Sequence, residues 1–183
     1  MDGAMAKLQH GDRVPMSFEE YALLPVHPRG EYIDGEFVVS PSPRQRHQAV
    51  SRRLANALEL QVAEGVTVIE AWAWKPGPDE FIPDLMVIDR TDEQVRYTGL
   101  PHVAVEILST DRAKDLLRKM HKYAATGLRR YWVVDPDVSE IVEYHLVAGA
   151  AAYAEIARHT GGAEASLDIG VAAVTLIPES LRD

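Results

Sequence analysis

Two carboxylates stand inside short apolar runs of this sequence. Asp84 lies within residues 81–88, and Glu106 lies within residues 103–109. Because side chains alternate between the two faces of a strand, each acid is expected to share a face with apolar neighbours. A buried carboxylate is costly unless a cation, a proton or hydrogen-bond donors compensate it. If the two strands are neighbours, the pair can hold one hard metal ion such as Mg²⁺, which one or two carboxylates typically bind together with waters and a substrate phosphate.

The segments that must position these acids follow from turn residues and hydrophobic periodicity. Ser17 and Glu20 form a capping-box pattern, which predicts a short helix. The Asp34-Gly35 pair predicts a two-residue hairpin turn inside residues 31–39.

Two longer helices and a series of strands are predicted after the hairpin. Val50, Leu54 and Leu58 recur at every fourth position, so residues 45–64 are expected to form an amphipathic helix. A second helix is expected over residues 112–126, ended by a glycine. The predicted strands are 66–74, 81–88, 103–109, 130–135, 141–147, 151–158 and 165–177. This order predicts an α+β (α/β-like) fold with a mixed central β-sheet flanked by helices, an N-terminal hairpin and additional C-terminal strands.

The second long helix carries several lysines, and one of them is placed differently from the others. At 100° per residue, Leu116, Met120 and Tyr123 cluster on one side of the helix. Lys119 lies nearer to that side than Lys122 does. We therefore expect Lys119 to lean over the sheet, while Lys122 stays in solvent.

Length and composition restrict the possible classes of protein. The 183 residues predict one domain, residues 17–183, after a flexible tail, residues 1–16. With no cysteine, the chain has no disulfide, zinc-thiolate site or thiol nucleophile. No apolar run reaches the roughly 20 residues that span a bilayer, and no secretory signal is evident, so a cytoplasmic protein without membrane contact is expected.

Charge is segregated along the chain. The net charge of −9 argues against a polyanionic partner. Arginines and lysines nevertheless concentrate in residues 44–53 and 112–130, whereas acids predominate after residue 131. The basic central region can therefore still contact nucleic acid.

Six motifs, in order, resemble a known family. Pro83-Asp84 followed by Glu106 is similar to the core of the PD-(D/E)XK nucleases, and the longer pattern resembles one branch of them, the Uma-two-type family of restriction-endonuclease-like proteins. The matching stretches span about residues 17–147. They are Tyr32-Ile33-Asp34-Gly35-Glu36, Ser40-Pro41-Ser42-Pro43 with His47, Pro83-Asp84-Leu85, Val105-Glu106-Ile107-Leu108-Ser109, Asp115 with Lys119 and Tyr123, and Tyr131-Trp132-Val133-Val134-Asp135.

The resemblance implies a restriction-endonuclease-like fold and metal-dependent hydrolysis of DNA. Asp84 and Glu106 would hold Mg²⁺ or Mn²⁺ with the backbone carbonyl of Ile107. The general pattern places a lysine two residues after the second acid, but that position is Leu108 here. In the branch that this sequence resembles, the lysine moves to the following helix, where Lys119 stands.

Further roles are implied for residues around this core. Glu36 would complete the metal shell, and His47 would contact phosphate or transfer a proton. A homodimer is expected, because one small site cuts one strand at a time. The residues expected to contact the nucleic-acid backbone are Arg44, Arg46, Arg52 and Lys122.

Plainer interpretations remain beside these. Asp84 can cap a turn, Glu106 can pair with a helix lysine, and Asp115 can pair with Lys119 one helical turn away. A non-catalytic nucleic-acid-binding or regulatory module is the alternative function, which Leu108 and the acidic charge favour. A protein-interaction domain is a third hypothesis, and all three share one fold.

Overall fold

The computed structural model describes residues 8–25, 29–109 and 113–182, with the backbone alone for residues 113–115. Its helices are α1 (Phe18–Ala22), α2 (Gln45–Glu59) and α3 (Ala113–Ala125), and a 3₁₀ helix covers Pro178–Leu181. Its strands are β1 (Arg13–Pro15), β2 (Gly30–Ile33), β3 (Glu36–Val39), β4 (Val66–Glu70), β5 (Leu85–Asp89), β6 (Val103–Ile107), β7 (Arg130–Asp135), β8 (Glu140–Leu146), β9 (Tyr153–Thr160), β10 (Ala165–Asp168) and β11 (Ala173–Leu176). None of the helices in these ranges is long and apolar enough to cross a membrane.

A six-stranded sheet in the order β4-β5-β6-β7-β8-β9 forms the centre of the molecule. Strands β6 and β7 are parallel, and α3 connects them, as a parallel pair requires a crossover. The other neighbouring strands of this sheet are antiparallel. The predicted mixed sheet with flanking helices is thereby confirmed.

One face of this sheet, which we call the aliphatic face, is covered by α2 and the β10–β11 hairpin. Val50, Leu54 and Leu58 of α2 are fully buried there, as their spacing predicts. They pack against Val105 and Ile107 of β6, among other branched side chains. Burial at about 25 cal/mol per Å² of apolar surface makes this layer a main source of stability.

The opposite face, which we call the aromatic face, is covered by α3. Tyr123 of α3 contacts Trp74, Phe81 and Tyr131 edge-on, with ring centroids 5.1 to 5.5 Å apart. Glu106 points to this face because it alternates with Val105 and Ile107 along β6. The carboxylate therefore enters a layer of rings rather than of branched aliphatic chains.

The N-terminal region is more ordered than a tail. Ser17 and Glu20 form both hydrogen bonds of the predicted capping box. Asp34 and Gly35 adopt φ values of 56° and 78°, as a type I′ hairpin turn requires. Residues 13–15, inside the expected tail of residues 1–16, form β1 and pair with β3, whereas residues 1–7 lie outside the described ranges.

Several element boundaries differ from the predicted ones. Strand β4 ends at Glu70 because Ala71 has a φ of +50°, which a strand cannot continue. Residues 165–177 form two strands, since Gly170 with a φ of +91° turns the chain between them. The predicted strand over residues 81–88 begins only at Leu85, so Asp84 lies in the bend before β5 and not inside the strand.

Candidate active site

Asp84 lies at the start of β5, beside the end of β6. Its Oδ2 accepts a hydrogen bond of 2.8 Å from the backbone N–H of Ile107. The same oxygen lies 3.0 Å from Nε2 of His47. The antiparallel pairing of β5 with β6 brings the two predicted acids to one edge of the sheet. Asp84 is therefore more than a turn cap, because its carboxylate joins β5, β6 and α2.

Glu106 is buried between the sheet and α3. Its Oε1 accepts hydrogen bonds from Nζ of Lys119 at 2.9 Å and from the hydroxyl of Tyr123 at 2.8 Å. Burial raises the pKa of Glu106 to about 7; Lys119 opposes this rise, while the charges of Asp84 and Glu31 add to it. Burial beside Glu106 also raises the pKa of Tyr123, which keeps that hydroxyl a donor.

Lys119 points from α3 toward this edge, as its position on the helix predicts. Only 5% of its surface is exposed, and its Nζ bridges Glu106 to a second acid, Glu31, at 3.1 Å. The side chain of Asp115, expected to pair with Lys119, lies outside the described residues. The predicted pairing of Glu106 with a helix lysine is thus present, and it leaves metal binding possible.

Glu31 is a site residue that sequence reasoning did not select. It lies in β2, is 3% exposed, and its Oε1 accepts a 2.6 Å hydrogen bond from the backbone N–H of Ile82. The available signal was a carboxylate in the strand before the Asp34-Gly35 turn, immediately preceding the family-like stretch of residues 32–36. Only the packing of the hairpin against α3 shows its proximity to Lys119.

His47 projects from the first turn of α2 into the same region. Its side chain is 10% exposed, and Nε2 faces Asp84. Its other ring nitrogen, Nδ1, is buried and has no hydrogen-bond partner in the described structure. The position between a carboxylate and a cavity suits an imidazole that contacts a bound group.

Four of these residues, Asp84, Lys119, Glu31 and His47, line a cavity of about 490 Å³, and Glu106 contacts it only through Lys119. Its floor includes Asp84 and Lys119, and its walls come from the N-terminal segment, the β2–β3 hairpin, α2 and the end of β4. Arg13, Arg29 and Arg118 also line it; Arg13 pairs with Glu36 and Arg118 with Asp34, which compensates these two charges. The cavity is large enough for a nucleotide-sized group.

Glu36, predicted to complete a metal shell, lies elsewhere. It forms an ion pair with Arg13, and it is absent from the residues that line the cavity. Among the nearby acids, Glu31 and not Glu36 reaches Lys119. Strand alternation does not separate the two acids, because Glu36 opposes Ile33 in the hairpin and therefore shares a face with Glu31. They differ in strand: Glu36 lies on β3, whose other neighbour β1 carries Arg13, whereas Glu31 lies on β2.

The residues expected to contact a nucleic-acid backbone divide into two groups. Arg52 is exposed on α2, and Arg44 is exposed at the N-cap position just before it. Arg46 pairs with Asp137, and Lys122 pairs with Asp34 and Asp79, so the charges of these two are compensated within the protein. Lys122 was expected to remain in solvent, and instead it ties α3 to the hairpin.

The donor set at the cavity suits a hard divalent cation. In the described ranges, no three His, Asp or Glu side chains are arranged to hold a metal ion by themselves. Mg²⁺ needs only one or two carboxylates, because water and substrate phosphate complete its shell. Asp84 and Glu106 would supply these. Burial, with the added charges of Asp84 and Glu31, raises the pKa of Glu106, and a bound cation would favour its ionised form.

Comparisons with known proteins identify the family and the fold. The family model Uma2 (Uma-two), described as "Putative restriction endonuclease", matches residues 18–177. A crystal structure titled as that of a "putative nuclease belonging to DUF820" from Anabaena variabilis ATCC 29413 superimposes with a TM-score of 0.75. The two chains are 19% identical, and the match covers 91% of this chain and 97% of that one, so the likeness shows a shared fold. None of the curated proteins matches this chain significantly. Because the family model covers most of the sequence, the chain belongs to the Uma2 family of restriction-endonuclease-like proteins.

Proposed function

We propose that this protein is a metal-dependent endonuclease that hydrolyses phosphodiester bonds in DNA. The observation that carries the proposal is that Asp84 and Lys119 line one cavity and that Lys119 contacts the buried Glu106 at 2.9 Å, although the three residues come from separate segments. Two acids and a lysine at the edge of a mixed sheet are the residues that the nuclease chemistry requires. The position two residues after Glu106, where the general pattern has a lysine, is Leu108. The lysine would therefore come from α3.

Asp84 and Glu106 would hold Mg²⁺ or Mn²⁺, with the carbonyl of Ile107 as a further ligand. The bound cation would supply Lewis acidity toward the phosphate and lower the pKa of a water molecule. Lys119 would donate a hydrogen bond to the water or to the phosphate oxygen that gains charge. His47 would transfer a proton or contact phosphate, with Asp84 fixing the orientation of its ring.

The DNA backbone would lie along α2 and the mouth of the cavity. Arg44 and Arg52 are the predicted contacts whose positions on α2 suit this path, and Arg29 adds a cation at the cavity wall. The internal ion pairs of Arg46 and Lys122 reduce what those residues would contribute. Such contacts position the backbone without selecting a base sequence.

Cleavage of supercoiled plasmid and of single-stranded DNA tests this proposal. The native protein and the variants Asp84→Ala, Glu106→Ala and Lys119→Ala are compared with Mg²⁺, Mn²⁺ or a chelator. Glu143→Gln is the matched control, because Glu143 is an equally buried acid of the same sheet, away from the cavity. Metal-dependent nicking is expected in the native protein and the control, and it should disappear in the two acid variants.

A non-catalytic nucleic-acid-binding module is the second candidate. The observation that favours it is Leu108, which packs against the aromatic face where the usual lysine would stand. If no metal supports cleavage while the folded protein still retards DNA in a low-salt gel, this second function replaces the first.

A further inference from the structure

One ammonium group serves two buried carboxylates beside the cavity. Nζ of Lys119 lies 2.9 Å from Oε1 of Glu106 and 3.1 Å from Oε1 of Glu31. All three residues are 5% exposed or less. Because a single buried acid would already neutralise the lysine, the second acid requires an explanation.

We propose that Glu31 is a positioning residue, whose carboxylate keeps Lys119 in the site when a divalent cation occupies Glu106. The inference rests on the proposed function, because it assumes that Glu106 is a metal ligand. A divalent cation at Glu106 attracts that carboxylate and repels the lysine ammonium at close range. Glu31 gives the ammonium a partner that the cation does not take away.

The backbone around Glu31 makes it a fixed anchor. The N–H of Ile82 donates to the same Oε1 that contacts Lys119, so this oxygen is held in place. Glu31 lies in β2, which pairs with β3 over its whole length. The carboxylate therefore belongs to the hairpin, whereas the lysine belongs to α3.

The hairpin also holds α3 from outside, and this provides an internal control. Asp34, at the hairpin turn, pairs with Arg118 and Lys122 on either side of Lys119 in the helix. These pairs are partly exposed and do not contact Glu106. If the hairpin acted only as a general support for α3, loss of Asp34 and loss of Glu31 would have similar effects.

The first experiment is a double-mutant cycle with Glu31→Gln, Lys119→Met and the double variant, and with Asp34→Asn as the matched control. Plasmid cleavage is measured at saturating Mg²⁺. Glu31→Gln is expected to lower kcat by about 10- to 100-fold, as small displacements of a catalytic group do, with KM unchanged. In the Lys119→Met background it should have no further effect, because its influence passes through the lysine. Asp34→Asn should stay within about threefold of the native kcat.

The second experiment does not depend on cleavage. The metal alone is titrated by calorimetry, and the acylation of Lys119 by an amine-reactive reagent is followed by mass spectrometry with and without Mn²⁺. We expect Mn²⁺ to increase the labelling of Lys119 in Glu31→Gln and not in the native protein, at similar Mn²⁺ affinity. Should Glu31→Gln fail to fold, Glu31→Asp replaces it, with a partial effect expected.

Each contrary outcome has a distinct meaning. If Glu31→Gln lowers kcat equally in the native and the Lys119→Met backgrounds, the inference is overturned. A tenfold loss of metal affinity in Glu31→Gln would also overturn it, because Glu31 would then be a metal ligand. Labelling of Lys119 that rises equally in both proteins would also overturn it. An inactive native protein would contradict the proposed function, while the labelling result would still decide the role of Glu31.

Discussion

Two buried glutamates on opposite faces of the central sheet differ in how they are compensated. Glu143 of β8 lies on the side of the aliphatic face, where Nε2 of His159 contacts one carboxylate oxygen at 2.7 Å and the N–H of Asp168 donates to the other at 3.0 Å. Glu106 receives both its hydrogen bonds on one oxygen and adjoins the acids and the lysine of a cavity. Burial of a glutamate therefore does not by itself indicate a functional site. A cluster of acids that share one lysine beside a cavity does.

The two faces show the same difference on a larger scale. The aliphatic face is packed with branched side chains from α2, β6 and the C-terminal hairpin. The aromatic face combines rings with Glu106, Lys119 and the hydroxyl of Tyr123. Rings that carry polar groups tolerate a buried charge better than branched chains do, because they can offer hydrogen bonds at their edges. One face mainly stabilises the sheet, and the other holds the candidate chemistry.

The largest expected effect is the difference in cleavage between variants of the two glutamates. Glu106→Gln keeps the shape of the side chain but removes a charge from the proposed metal site, and should lower single-turnover cleavage by about 10³-fold. Glu143→Gln should leave cleavage almost unchanged and destabilise the fold by about 1–3 kcal/mol, because the amide offers one acceptor oxygen where the carboxylate offers two, to His159 and to the N–H of Asp168. Equal losses of cleavage in the two variants would remove the distinction.

A core substitution tests the aliphatic face. Leu54→Ala leaves a cavity between α2 and the sheet, so the free energy of unfolding should fall by about 2–5 kcal/mol. Cleavage per folded molecule should remain native. Leu60→Ala is the matched control, since that leucine is 87% exposed just after α2 and its loss should cost less than about 0.5 kcal/mol. Urea denaturation measures both.

The stability of the metal-free protein is expected to depend on pH through Glu106. Its pKa of about 7 in the folded state lies above the ordinary 4.5, so between these values the folded protein holds a proton that the unfolded chain has lost. Glu106 therefore adds up to about 3 kcal/mol to the free energy of unfolding below about pH 4.5. This contribution is lost as the pH rises through 7. Thermal unfolding should show this decline in the native protein and not in Glu106→Gln.

Two further observations sharpen that test. Saturating Mg²⁺ should reduce the decline, because the cation binds the ionised carboxylate. The contribution of Asp34 to stability changes with pH in the opposite direction and over a lower pH range. Hydrogen bonds from Lys122 and Arg118 lower its pKa, so its contribution is lost only as the pH falls below 3.8. A stability that rises between pH 4.5 and 7 in metal-free protein would contradict the assignment to Glu106.

The smallest effect is expected away from both faces, at an ion pair on the surface. Arg46 already pairs with Asp137, so Arg46→Ala should change the affinity for single-stranded DNA less than about twofold. Asp137→Ala releases the arginine and should raise the affinity slightly. Fluorescence anisotropy at several salt concentrations measures both changes, and a marked loss in Arg46→Ala would show that the arginine leaves its partner to bind DNA.

Local patterns in the sequence determined much of this protein. The capping box at Ser17, the Asp34-Gly35 turn and the spacing of Val50, Leu54 and Leu58 each predicted their element, because each depends on interactions within a few residues. The angular position of Lys119 on its helix also predicted the side on which it lies. The strand boundaries were less predictable: the positive φ of Ala71 has no local signal, and the Pro83-Asp84 pair, which can mark a turn, stands inside an apolar run that also suits a strand.

Only the tertiary structure decided which distant residues meet. Glu31 and Glu36 stand near the same hairpin turn, and nothing in their sequence surroundings distinguishes the buried partner of Lys119 from the exposed partner of Arg13. The two acids share a face of the hairpin, and the difference arises because β3 lies beside β1 with Arg13 whereas Lys119 of α3 reaches Glu31 of β2. Periodicity assigns a side chain to a face of its own element, but the packing of that element determines what the face contacts.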